Sequence, residues 1–182
     1  MIDALYRAAT GRAVLVTLVM LLVSGFAIFR LGPYPALVAA GAALPEETPG
    51  MSPERIHAFL DTLGETGRAG YARFQALDTV QAMLLAGFAM LLVAWILKRA
   101  GSARGAWRVL ALVPLIVLGA EAVENVLLAR AALAHPSHAA TTAFLPAVTT
   151  IKFASVVLMV LALLVALGRR LRAALAARHG AS

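Results

Sequence analysis

Leu118-Gly-Ala-Glu-Ala-Val-Glu-Asn-Val-Leu-Leu128 sets three polar side chains, Glu121, Glu124 and Asn125, inside an otherwise apolar run. An ionisable group at bilayer depth is costly, and it is kept there when a partner, a cavity or a function holds it. The stretch therefore reads as part of a membrane-spanning helix and as one wall of a polar site. Positions i, i+3 and i+4 share a helical face, so all three side chains point the same way.

Working outward, four apolar runs emerge. A bilayer core takes roughly 20 helical residues to cross, and the runs at about 11–29, 75–97, 107–129 and 142–168 each suffice. Of the 182 residues 62% are hydrophobic, and the mean hydropathy is +0.87. Soluble domains are about half apolar. The expectation is a single all-α membrane domain over 1–182, a polytopic four-helix bundle. Pro114 bends the third span. The first apolar run exceeds the roughly 7–15 residues of a signal-peptide core, and no small-residue cleavage site follows Phe29, which predicts a retained helix.

The net charge of +7 does not point to nucleic acid, because the basic residues sit at the ends of the apolar runs. The connection between the second and third spans carries Lys98, Arg99, Arg104 and Arg108 and no acid. The tail 169–182 carries Arg169, Arg170, Arg172 and Arg178, which suits contact with anionic membrane lipids. By the positive-inside rule both termini and the middle connection are cytoplasmic, and residues 30–74 and 130–141 face outward. Arg outnumbers Lys fourteen to two, a composition that points to a GC-rich bacterial genome and hence to the inner membrane. The absence of cysteine excludes disulfides and thiolate chemistry.

The outward segment 30–74 is long for a connector. Residues 36–44 read as a short interfacial helix and 45–50 as loop. Ser52-Pro53-Glu54 is a helix start: a Ser cap, a Pro in the first turn and an acid near the positive helix end. Ile56, Phe59, Leu60 and Leu63 then recur at helical spacing, which predicts an amphipathic helix on the outer membrane surface or capping the bundle, with Gly64 as its stop. Residues 65–75 lead into the second span as continuous helix.

Depth counting assembles the polar set. At a rise of about 1.5 Å per residue, Glu121 lies about 13 Å from the outer end of its helix and Lys152 about 15 Å from the outer end of the next. Thr149 and Ser155 flank Lys152, and Asp78 and Gln81 enter from the outer end of the second span. Three acids, Asp78, Glu121 and Glu124, against one Lys152 ammonium mean that the set holds a proton at rest, as acid/base sites do. Three functions compete. One is a site for a small amphiphile or lipid, with Glu121 or Glu124 as acid or base and Lys152 or Asn125 orienting an oxygen. A second is proton-coupled transport, which in so small a chain calls for a homo-oligomer. The third is a structural or accessory role, with the charges gluing helices together.

His135-Pro-Ser-His138 has metal-ligand spacing, but the loop context favours two exposed histidines. Lys152 repels a cation from the three acids, so neither a metal nor another cofactor is expected. Trp95 and Trp107 read as interfacial anchors. Arg68, Tyr71 and Arg73 either snorkel or meet a head group, and Arg68 and Tyr71 join the ligand-binding candidates.

The combination Gly67-Arg-Ala-Gly-Tyr71, Leu77-Asp78 and Glu121-x-x-Glu-Asn125, with Lys152 on the next helix, resembles an uncharacterised family of four-helix bacterial integral membrane proteins. The resemblance covers half the chain and implies no activity. By architecture alone the chain is also similar, more distantly, to the sterol-isomerase and sigma-2-receptor-like superfamily, in which acids inside a membrane bundle surround an amphiphilic ligand. That likeness favours the ligand-site reading and transfers no catalytic role to any residue.

Overall fold

The computed structural model describes residues 1–39, 43–137 and 139–179, and among these there is helix and no strand. Four helical stretches are long and apolar enough to cross a membrane: Gly11–Leu31, Gly64–Arg99, Ala106–Leu133 and Leu145–Arg178. Large apolar side chains such as Leu15, Leu22, Val23, Val157, Leu161 and Leu164 lie exposed along them. Contiguous apolar surface on this scale suits lipid rather than water.

The chain forms two compact units. One comprises Met1–Leu21, Leu84–Val117 and the segment from Ser155. It holds helix α1 (Ile2–Ala8) and the start of α2 (Gly11–Phe26). Its core gathers Tyr6, Ala9, Val93, Leu97, Ala111 and Ala166. Pro114 does more than bend the third span. Residues Ala106–Leu112 form a tight 3₁₀ stretch, and the α-helix proper (α6) begins at Pro114. Proline has no N–H to give and its ring clashes with the preceding turn, so it starts a helix more readily than it continues one. Trp95 carries Arg99 on its face at 4.8 Å and Trp107 carries Arg169 at 4.3 Å, contacts that fit interfacial side chains.

The other unit comprises Leu22–Met83 and Leu118–Ala154. It contains α3 (Tyr34–Ala39), a 3₁₀ turn (Pro45–Glu47), α4 (Pro53–Thr62), the first part of α5 (Gly64–Arg99), most of α6 (Pro114–Leu133), α7 (Ala139–Thr142) and the start of α8 (Leu145–His179). The expected interfacial helix starts two residues early, at Tyr34, and residues 40–42 lie outside the described residues. Ser52 caps α4, its hydroxyl accepting from the Arg55 N–H at 3.5 Å. Gly64, at φ +62°, turns the chain from α4 into α5, a conformation that costs other residues their Cβ clearance. α5 then runs unbroken into the second span. The apolar face of α4 is not laid on lipid: Ile56, Phe59 and Leu60 are buried in the unit's own core with Tyr71, Phe74 and Leu128. Each such side chain contributes about 1.5–3 kcal/mol of burial. The segment before the second span is thus a packed cap within this unit.

Candidate functional site

The polar site lies wholly in the second unit, and α5 supplies its longest wall. Tyr71, Gln75, Asp78 and Thr79 fall at i, i+4, i+7 and i+8, one face of a helix. α6 brings Glu121, Glu124 and Asn125. α8 brings Thr149 and Lys152, three residues apart. The 3₁₀ turn brings Glu46.

Lys152 and Glu124 form the centre. The ammonium lies 2.5 Å from Glu124 Oε2 and 3.9 Å from Glu121 Oε2, and it donates to the Glu46 backbone carbonyl at 2.7 Å. Glu124 is completely buried, and its other oxygen accepts from the Thr149 hydroxyl. Asn125 is also buried and donates through Nδ2 to Asp78 Oδ2 at 3.2 Å and to Thr79 Oγ1 at 3.1 Å. The structure thus brings together Asp78, Glu121, Glu124, Asn125, Thr149 and Lys152.

No sequence pattern marks Glu46, which lies where residues 45–50 read as loop. Its side chain is buried, accepting from the Tyr71 hydroxyl and from Gln75 Nε2 at 3.1 Å. Burial pushes its carboxyl up from 4.5 to about 7, against the opposing pull of the Tyr71 and Gln75 hydrogen bonds. Tyr71, expected to snorkel or to meet a head group, is itself fully buried and serves this contact. Gln75 had a signal available, since it lies three residues before Asp78 and four after Tyr71. Glu46 had none, because a three-residue turn has no periodicity.

The other candidates have their own surroundings. Gln81 accepts from Ser24 at 2.5 Å, and its amide packs closely over Gly25, where a Cβ would approach it to 3.1 Å. Arg68 donates to the Leu60 carbonyl at 3.4 Å. Ser155 is buried on α8, three residues after Lys152. His135 is not the exposed loop residue expected. It is mostly buried and pairs with Asp61 at 2.9 Å, a partner 74 positions away that no local pattern announces. His138 lies outside the described residues. Among the described residues no group of three or more His, Asp or Glu is arranged to hold a metal ion.

Chemically the cluster is acid-rich and acceptor-rich. Four carboxyls, from Glu46, Asp78, Glu121 and Glu124, share the cluster with one ammonium, which itself meets Glu121 and Glu124. Two amide oxygens, Gln75 Oε1 and Asn125 Oδ1, are buried with no hydrogen-bond partner. Asn125 Nδ2 is committed to Asp78 and Thr79, and Gln75 Nε2 to Glu46. A buried acceptor left without a donor costs about 1–3 kcal/mol.

No family model matches this chain, and neither does any curated protein or solved structure. The family resemblance therefore rests on its quoted residues alone.

Proposed function

We propose that the chain is a four-helix bundle of the bacterial inner membrane, with both termini cytoplasmic, and that its acid-rich cluster binds the polar head of a small amphiphile or lipid from the outer leaflet. The observation that carries this reading is the pair of partnerless buried acceptors, Gln75 Oε1 and Asn125 Oδ1, beside carboxyls that outnumber the one ammonium. A network built only to hold helices together gains nothing from leaving acceptors unmet. The complementary ligand presents donors, a hydroxyl or an amine, on an apolar body. Glu121, the carboxyl of the α6 set that keeps some exposure, is the group best placed to exchange a proton with it.

The test is native mass spectrometry of the purified protein. The wild type should retain a hydroxyl- or amine-bearing amphiphile, and Asn125→Leu should lose it. A protein that carries no such species, and in which Asn125→Leu alters only stability, sinks the ligand reading. It leaves the second reading, a helix-gluing network, which draws support from the complete burial of Glu124 against Lys152.

A further inference from the structure

The first unit holds a different charged feature. A cleft of about 500 Å³ is lined by Asp3, Tyr6, Arg7, Lys98, Arg104 and Arg108, with Ala103 completing the wall. Its size falls within the roughly 300–1,000 Å³ range of small-molecule sites. We propose that this cleft binds a phosphate-bearing anion.

Positive-inside topology requires cations near the membrane surface, but it does not require them to converge. Here α1 carries Arg7 to the same hollow as Lys98, Arg104 and Arg108 from the other side of the chain. α1 is held in place by its own packing: Tyr6 is buried in the unit's core, and its hydroxyl donates to the Arg108 carbonyl at 3.4 Å. The Arg108 guanidinium lies over the Tyr6 ring at 5.1 Å and donates to Asp3. Lys98 gives one N–H to the Ala9 carbonyl at 2.9 Å and has two more to offer. Among the described residues, no carboxylate pairs with Arg7, Lys98 or Arg104. Four cations around one carboxylate repel one another, and an anion seated among them removes that repulsion. The guanidinium fork matches phosphate oxygens two at a time, which favours phosphate over a simple halide.

Two sources share this chemistry, an anionic phospholipid head group and a soluble phosphate ester, and one experiment separates them. The full chain is reconstituted in nanodiscs of phosphatidylcholine with or without phosphatidylglycerol, and glycerol phosphate binding is followed by titration calorimetry. Lipid retention is read in parallel by native mass spectrometry. Preferential retention of phosphatidylglycerol identifies the lipid as the source, and saturable glycerol phosphate binding in pure phosphatidylcholine identifies the soluble ester. Either supports the proposal if Arg7→Ala and Arg104→Ala each weaken it about tenfold, the worth of one hydrogen bond to a charged group. Both residues are exposed, so both variants should fold, and an unchanged melting temperature checks this. Equal retention of both lipids with no glycerol phosphate binding, or binding indifferent to both substitutions, overturns it.

Discussion

The cluster around Lys152 and the cleft around Arg108 use the same charge chemistry with opposite balance and opposite exposure. In the cluster, four carboxyls accompany one ammonium, and the central pair is 9% and 0% exposed. In the cleft, four cations surround one carboxylate, and the pair there is 23% and 70% exposed. Burial, not the number of charges, sets what each pair is worth. An ion taken out of water depends on its partner, whereas an ion left in water has solvent to replace it.

The sharpest way to break this contrast is to remove the buried cation. Lys152→Met leaves Glu124 buried without a counter-ion and strips a donor from the Glu46 carbonyl. The expected loss is about 3–5 kcal/mol, the cost of orphaning one partner of a buried pair. It should appear as a marked drop in melting temperature in detergent. Lys152→Met combined with Glu124→Leu should regain much of that loss, because no unpaired charge remains. An unchanged melting temperature in the single variant would mean that the buried pair does not form.

A smaller effect sharpens the cluster's own chemistry. The buried Glu46 carboxyl keeps its proton to about pH 7, whereas its ordinary value is 4.5. Between these values the unfolded chain holds fewer protons than the folded one. Stability therefore falls as pH rises through this window and levels off above about 7, with a span on the order of 3 kcal/mol from this group. Glu46→Gln is neutral throughout and keeps an acceptor for Tyr71, so its melting temperature should vary less from pH 5 to 8. Parallel profiles for the two proteins would remove Glu46 as the titrating group.

Sequence reading reached some of these features and missed others for physical reasons. The four apolar runs, the Ser52 cap and the unbroken lead from Gly64 into the second span were legible because each depends on local chemistry. The grouping of Glu121, Glu124 and Asn125 followed from helical phase, and their meeting with Lys152 follows from the rise per residue along two consecutive helices. Gln81 shares a helix with Asp78 and accepts from Ser24, a partner that helical phase does not name. Glu46 and the His135–Asp61 pair depend on where irregular segments pack, and no period records that. The cleft was half legible: Lys98, Arg104 and Arg108 were counted, but their convergence with Arg7 needed α1, a helix of seven residues before the first span.

The smallest expected effect on stability falls on the open pair. Arg108 donates to Asp3 and so holds its carboxyl below the ordinary range, with Coulomb attraction adding to the hydrogen bond. Asp3 faces water, and at 0.15 M salt charges are screened over about 8 Å. Asp3→Asn should therefore leave the melting temperature unchanged, in contrast to Lys152→Met. Its effect belongs to binding instead. With the carboxylate gone, Arg108 is released and the cleft presents four cations and no acid, so glycerol phosphate affinity should rise. Titration of the variant decides between two roles for Asp3. A rise marks the carboxylate as a competitor occupying the anion's place. A fall makes it a positioning residue that holds the Arg108 fork toward the cleft. A drop in melting temperature as large as that of Lys152→Met would show that exposure does not separate the two pairs.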